Sequence, residues 1–317
     1  MVSRRLLRIK VLQAYYAYSQ RPDMNLKQSI AELDKSIAKS LDLFFYISML
    51  LVDLRYFAKD KIEIAKQKFI PSDDDTDINE SFINNKILQI LESHNQFKQY
   101  INSEDYSWNS HPEILKQIWQ SLKEDDYYRK YINLEKRSFN DDKDILIYVL
   151  NNFISENIYI DEAIEEKSIF WNDDLEFTIS IIISVIRKIG KNSNTENNLI
   201  VLYRDLEDKV FAHRLLEMAT IKSKEYDELI ERFLKNWELE RIALLDRLIM
   251  HLALVEFNYM EQIPVKVTIN EYLDIAKCYS TEKSSVFING VLDNVYIEMK
   301  QNNNLNKRGR GLLEDSL

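Results

Sequence analysis

Glycine and proline are both scarce in this chain of 317 residues, which has only four of each. Their usual combined share is about 12%. Turn-rich sheet proteins need both residues for tight reversals and positive φ angles. Phosphate-cradling and dinucleotide-binding loops need clustered glycines, which this chain does not have. The scarcity argues against both architectures and predicts an all-α protein.

Cysteine and long apolar runs are also rare. The single cysteine, Cys278, excludes an intrachain disulfide and a Cys-rich zinc site, and on a helix we expect it to be a small core residue. The longest apolar run, from Phe177 to Ile189, includes Arg187 and is shorter than the roughly 18 residues of a membrane span. The amino-terminal sequence lacks the pattern of a secretory signal. We expect a soluble cytoplasmic protein with no membrane association.

Sequence signals of catalysis are weak. The four histidines, at positions 94, 111, 213 and 251, are far apart and lack metal-pair spacing. No serine has the strand–turn–helix context of a nucleophile. The acidic break at 71–77 lacks the glycine and closing glutamate of a calcium loop. We therefore predict a protein that is not an enzyme and uses no metal and no cofactor.

The charge is distributed unevenly along the chain. The net charge is −10, from 42 basic and 52 acidic residues, yet the first 22 residues contain five basic and no acidic ones. Apolar spacing predicts a helix there, with Ser3 as its N-cap. Arg4 and Arg5 would lie in the first turn, where the helix dipole disfavours cations, which suggests phosphate binding. A solubilising or salt-bridged face is an equally good interpretation of these residues alone.

A second group of residues lies near the carboxyl terminus, where Ser280–Ser284 has the pattern of a helix start. Tyr279 and Phe287 flank it, and aromatic rings beside such a cap can stack on unpaired bases. Taken alone, both rings are better interpreted as core residues. Gly290 falls inside the predicted helix, at a cost of about 1 kcal/mol relative to alanine, so we expect a close helix–helix contact there.

Several blocks of sequence resemble the NusB transcription antitermination family, in family order and spacing. The blocks are Trp237–Arg247, Leu252–Glu256, Ile263–Glu271, Ala276–Ser284 and Phe287–Asp293, and the opening residues Arg4–Tyr16 resemble the family's first helix. About 170 residues between the two regions have no counterpart in the compact family form. The chain is similar to a long variant of the family with a central insertion.

The resemblance implies an all-α fold made of a NusB-like pair of small helical bundles with an additional inserted helical region. We expect four segments. They are 1–40, the basic helix and the start of the amino-terminal bundle; 41–204, the inserted region; 205–300, the carboxyl-terminal bundle; and 301–317, a disordered tail.

The resemblance also implies a function: binding of boxA-type single-stranded RNA in nascent ribosomal RNA together with ribosomal protein NusE, which couples the RNA to elongating RNA polymerase. By motif position it assigns RNA contacts to Arg4, Arg5, Arg8, Tyr279, Lys283 and Phe287. It assigns NusE contacts to Tyr16, Asp246 and Glu256. It implies no catalytic residue.

Two other functions are compatible with a helical protein of this kind. One is a protein–protein scaffold that has lost RNA binding, with the inserted region recruiting a partner. The other is the targeting module of an RNA-modifying enzyme. The second requires a methyltransferase domain with a glycine-rich cofactor loop, which four glycines cannot provide.

Overall fold

The computed structural model describes residues 2–67, 79–103, 106–190, 198–234 and 239–312. These residues form α-helices joined by short turns and contain no strand, which confirms the all-α prediction. The helices are α1 (Arg4–Gln20), α2 (Leu26–Gln67), α3 (Lys86–Ser93), α4 (Asn95–Ser103), α5 (Pro112–Glu124), α6 (Asp126–Ile132), α7 (Phe139–Val149), α8 (Ile158–Lys167), α9 (Leu175–Lys188), α10 (Leu206–Ile221), α11 (Ser223–Glu231), α12 (Leu244–Tyr259), α13 (Val265–Tyr279) and α14 (Glu282–Gln301). The acidic break at 71–77 lies outside the described residues.

The described helices carry neither a membrane span nor a metal site. None of them combines the length and apolar character needed to cross a bilayer. Over the same parts of the chain, no group of His, Cys, Asp and Glu side chains is placed to hold a metal ion.

The chain divides into two compact units. One, here called the inserted unit, comprises Ala38–Leu202. The other, here called the terminal unit, comprises Val2–Ile37 together with Tyr203–Leu317. Helix α2 contributes its first part to the terminal unit and the rest to the inserted unit. Sequence analysis predicted an insertion from residue 41 to residue 204, within a few residues of these bounds.

The inserted unit has a core rich in aromatic side chains. The ring of Tyr46 stacks on Trp108 and Trp171, with centroid distances of 4.4 and 5.4 Å. Both indole N–H groups donate to backbone carbonyls, of Tyr46 for Trp108 (2.9 Å) and of Lys39 for Trp171 (2.7 Å). Buried tryptophans with satisfied N–H groups fix the packing of this unit without leaving a polar group unpaired.

The terminal unit is built around α12, which is buried on almost every side from Leu248 to Phe257. Helices α1, α10, α13 and α14 pack around it. Helix α1 begins where the sequence predicted, because the Ser3 hydroxyl accepts a hydrogen bond from the Leu6 N–H at 3.2 Å. The unit therefore brings the first helix of the chain against helices formed more than 200 residues later.

The residues after α14 differ from the disordered tail expected at 301–317. The Lys307 ammonium donates to the Glu256 and Met260 carbonyls at 2.8 and 3.0 Å, and so satisfies acceptors at the end of α12. A Cβ at Gly311 would lie 2.0 Å from the Glu261 carbonyl oxygen, so only glycine allows this approach. Residues 313–317 lie outside the described part of the chain.

Two other expectations about single residues are wrong. Gly290 does not mediate a close helix–helix contact, because a Cβ placed there would have no atom within 4 Å. Cys278 is exposed rather than in the core, since it lies on the outer side of the last turn of α13. Helical periodicity identified both helices, but it did not show which of their faces the other helices cover.

Candidate nucleic-acid interface

Arg8 is buried and forms an ion pair with Glu256 of α12. Its Nε and Nη2 donate to the two carboxylate oxygens of Glu256 at 2.6 and 2.9 Å, and both side chains are almost wholly inaccessible to solvent. Thr268 and Tyr272 of α13 donate to the same carboxylate at 3.1 and 2.9 Å. Burial opposes the charge of Arg8, but the Glu256 carboxylate outweighs it and raises the pKa of Arg8. This network joins α1, α12 and α13.

Arg5 is half-exposed and contacts two carboxylates of α13. Its Nε lies 3.2 Å from Glu271 and its Nη2 lies 2.8 Å from Asp274. The hydrogen bond that Arg5 donates to the Glu271 carboxylate is the main cause of a raised Arg5 pKa. The pKa of Asp274 is lowered, mainly by a hydrogen bond from Lys277 and also by Arg5. Both groups therefore stay charged at neutral pH, and their exposed sides remain open to solvent ions.

Arg4 pairs with α10. Its Nε lies 3.0 Å from the Asp208 carboxylate, and its guanidinium lies 5.4 Å from the centre of the Phe211 ring. Each of the three predicted arginines thus contacts at least one carboxylate of its own chain. The salt-bridged interpretation of the first helix describes this resting geometry, and a phosphate would have to compete with these carboxylates.

The predicted aromatic residues lie at the junction of α13 and α14. Helix α13 ends at Tyr279, and α14 begins at Glu282 with Thr281 as its N-cap, whose hydroxyl accepts from the Ser284 N–H at 3.2 Å. Tyr279 and Phe287 are both half-buried, and the hydroxyl of Tyr279 is itself buried. Lys283 is exposed beside them. An aromatic ring held in this way is suited to stacking on a base.

Helix α13 connects the arginines to these aromatic residues. Arg5 contacts Asp274 on α13, and Tyr279 ends the same helix five residues later. At 1.5 Å per residue this is a rise of about 7.5 Å. The carboxylate that pairs with Arg5 of α1 therefore lies less than two turns of α13 before Tyr279.

The residues predicted to contact NusE differ in exposure. Tyr16 is 42% exposed on α1. Asp246 is buried in the first turn of α12, and the Glu256 carboxylate faces inward in the network with Arg8. All three contacts stay predictions. In this geometry Tyr16 can reach a partner directly, whereas a partner reaches Glu256 only if the network opens.

Five polar residues of the site were missed by sequence reasoning. Glu271 lies within one of the family-like blocks, but its spacing gave no sign that it would meet an arginine from the opposite end of the chain. The missed residues are Asp208, Thr268, Glu271, Tyr272 and Asp274.

Comparison with known proteins gives a consistent family assignment. The sequence profile of the NusB family matches residues 176–297. Two proteins with the name transcription antitermination protein NusB are similar. The one from Salinibacter ruber is 39% identical over 36% of this chain and 71% of its own length, and the one from Chloroherpeton thalassium is 41% identical over 35% of this chain and 52% of its own length. A T. maritima NusB structure is 29% identical over 43% of this chain and 84% of its own, with a TM-score of 0.29.

The fold and the site define the class: a helical protein whose terminal unit is built around a buried central helix and carries arginine, lysine and aromatic side chains. The chain belongs to the NusB family. It is longer than its relatives, and its match spans only about half the length of the Chloroherpeton thalassium protein.

Proposed function

We propose that this protein is a transcription antitermination factor, not an enzyme, that binds boxA-type single-stranded RNA through its terminal unit. The observation that carries the proposal lies in the carboxyl-terminal half of α13, where Glu271 and Asp274 pair with Arg5 of α1 and Tyr279 ends the helix. Single-strand binders combine cations that follow the phosphates with aromatic rings on which bases stack. The names of the relatives support a role in transcription antitermination.

Within the proposed site, the roles follow exposure. Arg5 and Arg4 are partly exposed, so a phosphate can exchange with their carboxylate partners. Lys283 offers a further phosphate contact, and Tyr279 and Phe287 offer stacking surfaces. The phosphate contact predicted for Arg8 requires the Glu256 pair to open, so its main role in this proposal is to position α1 against α13.

Ribosomal protein NusE is the proposed protein partner. Tyr16 is exposed on α1, and tyrosine is among the residues enriched at protein interfaces. Binding of NusE beside the RNA would complete the surface and couple the transcript to elongating RNA polymerase. In this proposal Asp246 and Glu256 are buried and support NusE binding indirectly, by holding α12 in place.

The test is a titration of a labelled boxA-like RNA of about twelve nucleotides and a scrambled RNA, with and without NusE, over a salt series. The full chain should prefer the boxA-like RNA. Arg5→Ala should weaken binding of both RNAs and reduce the salt slope by about one unit. Arg21→Ala is the matched control, because Arg21 is an exposed arginine at the end of α1 that pairs with Glu32 at 3.1 Å.

The contrary result is equally clear. If neither the protein nor its NusE complex prefers the boxA-like RNA over the scrambled RNA, the RNA proposal fails. The scaffold function then takes its place, and the pairing of all three arginines with carboxylates favours it.

A further inference from the structure

A stacked pair of tyrosines lies on the surface of the inserted unit. The rings of Tyr127 in α6 and Tyr148 in α7 have a centroid distance of 4.3 Å and an angle of 20° between their planes. Tyr127 is 41% exposed, and Tyr148 is half-buried. The Tyr148 hydroxyl donates to the Asp125 carboxylate at 2.8 Å, which fixes the orientation of its ring. The pair therefore presents a pre-oriented aromatic surface to solvent.

A π-helical turn extends this surface. Residues Leu150–Ile154, directly after α7, form the turn, in which the Ser155 N–H donates to the Leu150 carbonyl at 3.0 Å. Residues five apart lie on different sides of a regular α-helix, but this wider turn brings the half-buried Phe153 edge-on to Tyr148, at a centroid distance of 6.0 Å. Phe153 and the tyrosine pair thus form one continuous surface, here called the aromatic face.

Four carboxylates border the aromatic face. Two come from the start of α6, immediately before Tyr127, and two from the side of α7 that carries Tyr148, at spacings of three and four residues. Burial and the charges of the two α7 carboxylates raise the pKa of Tyr127, and the hydrogen bond to the first α6 carboxylate is the main cause of a raised Tyr148 pKa. The rings are therefore close to these charges. The carboxylates are those of Asp125, Asp126, Asp141 and Asp144.

The tyrosine rings of this face differ from others in the same unit. Tyr56 has nearly the same exposure, 40%, but the Arg55 guanidinium lies 5.5 Å from its ring centre. Arg137 lies equally far from the ring of Tyr131. Among the residues that the structure describes, no lysine or arginine lies over either ring of the stacked pair. The open ring faces can therefore accept a cation from another molecule.

The basic residues nearest in sequence do not neutralise the border. Lys130 is three residues after Tyr127 on the same side of α6, but it forms no ion pair within the described parts of the chain. The Arg129 guanidinium donates to the Lys123 carbonyl at 3.1 Å instead. Counting these three basic residues and the adjacent Glu124 with the four carboxylates gives 3 − 5 = −2. The border keeps an excess of negative charge.

The chemistry of the aromatic face favours one kind of occupant. A guanidinium is planar and stacks on a tyrosine ring, and its N–H groups form a fork that fits carboxylate oxygens. An ammonium is a point charge without a flat surface. The carboxylates would repel the phosphates of a nucleic acid, and a purely apolar segment would leave them without a partner. Arginine alone suits both the rings and the border.

We propose that the aromatic face docks an arginine-rich segment of a partner protein, with a guanidinium stacked on Tyr127 and paired with Asp126 and Asp144. Asp125 and Asp141 cap the starts of α6 and α7, whereas Asp126 and Asp144 are exposed and available to a ligand. The binding is separate from the proposed RNA contacts, which belong to the terminal unit. It gives the inserted unit a role in recruiting a basic protein.

The test titrates the full chain with two labelled peptides of equal charge, one of alternating arginine and glycine and one of alternating lysine and glycine. Fluorescence anisotropy at low salt should show about two- to fivefold tighter binding of the arginine peptide, because only a guanidinium stacks on the rings. Tyr127→Ala should abolish this preference. Asp144→Asn should weaken binding of both peptides about two- to threefold. Because Asp144 is exposed, this variant tests the face even if Tyr127→Ala fails to fold.

Tyr56→Ala is the matched control, because Tyr56 is as exposed as Tyr127 and Arg55 already lies over its ring. It should bind both peptides as the unchanged protein does. Tyr148→Phe keeps the stacked ring and loses only the hydrogen bond to Asp125, so it should keep the preference for arginine.

Three results would overturn the inference. Equal affinity of the unchanged protein for the two peptides would mean that negative charge alone attracts them. A preference that survives Tyr127→Ala, or that is lost in Tyr56→Ala, would place the arginine contact elsewhere. The boxA-like RNA separates this inference from the proposed function, since Tyr127→Ala should bind that RNA as tightly as the unchanged protein. Weaker RNA binding by Tyr127→Ala would assign the aromatic face to RNA instead.

Discussion

At the scale of single residues, the three arginines of α1 differ in what they can do. Arg8 is buried in a pair with Glu256, whose carboxylate also accepts from Thr268 and Tyr272. Arg5 is half-exposed beside Glu271 and Asp274. A buried pair holds helices in place, and an exposed pair is worth about 0–1 kcal/mol and can exchange partners. The sequence predicted three equivalent arginines, because the carboxylates that distinguish them lie more than 200 residues away.

Removing one member of the buried pair should destabilise the terminal unit strongly. Arg8→Met leaves the Glu256 carboxylate buried without its cation, at a cost of about 3–5 kcal/mol. Urea unfolding measures this loss. Arg21→Met breaks the exposed pair with Glu32 and should cost less than about 1 kcal/mol. Equal losses in the two variants would mean that Arg8 does not hold α1 in place.

Removing a competing carboxylate should strengthen RNA binding. Asp274→Asn takes away a partner of Arg5 and frees the guanidinium for phosphate, so affinity for the boxA-like RNA should rise about three- to tenfold at low salt. Fluorescence anisotropy measures the change. Glu32→Gln removes a similarly exposed partner from Arg21 and should have little effect. An unchanged affinity for Asp274→Asn would exclude a phosphate contact at Arg5.

At the scale of elements, helix ends were predictable and helix faces were not. Local hydroxyl caps identified the starts of α1 at Ser3 and of α14 at Thr281, because capping depends on neighbours within four residues. The coverage of a face depends on distant elements. For this reason the packing contact inferred from a glycine inside the helix at 290 was wrong, and the docking of Lys307 on α12 was not foreseen.

The contact between α11 and α12 should give the terminal unit an acid-sensitive link. Asp227 of α11 contacts Arg247 and His251 of α12, the latter at 2.9 Å. Burial raises the pKa of Asp227, but the hydrogen bonds from His251 and Arg247 outweigh it, and the net shift is downward from 3.8. A lowered pKa in the folded state stabilises the protein above about pH 4, and the stabilisation is lost as the pH falls through the folded-state value.

Asp227→Asn removes this carboxylate and tests the link. The variant should be less stable than the unchanged protein at pH 6 and should lose less stability between about pH 5 and about pH 2.5. Urea unfolding at a series of pH values measures both. Glu32→Gln changes an exposed ion pair, so its stability should depend on pH as that of the unchanged protein does. If the free energy of unfolding fell with pH in parallel for Asp227→Asn and the unchanged protein, Asp227 would not be the acid-sensitive link.

At the scale of the whole molecule, the negative charge belongs to the inserted unit. Residues 38–202 contain 19 basic and 29 acidic residues, a net charge of −10, whereas the rest of the chain contains 23 of each. The terminal unit is therefore neutral overall, with the arginines of α1 balanced by carboxylates. A net charge of −10 is unfavourable for binding nucleic acid, and the division into units places the excess negative charge in the insertion. Repulsion of bulk nucleic acid limits nonspecific binding.

Neutralising exposed acids of the inserted unit should relax this discrimination. The triple variant Glu162→Gln, Glu165→Gln and Glu166→Gln, on the exposed side of α8, should raise affinity for scrambled RNA more than for the boxA-like RNA at low salt. The difference should shrink at high salt, since screening weakens long-range repulsion. Equal gains for both RNAs would contradict the discriminating role of the insertion.

Hydrogen–deuterium exchange of the full chain, with and without saturating boxA-like RNA, tests the central claim most directly. The claim is that RNA binds the terminal unit along α1, the end of α13 and the start of α14. The account predicts slower exchange in the first turns of α1 and from Asp274 to Asn294, with no change across the inserted unit. Protection confined to residues 38–202, or none at saturating RNA, would contradict it.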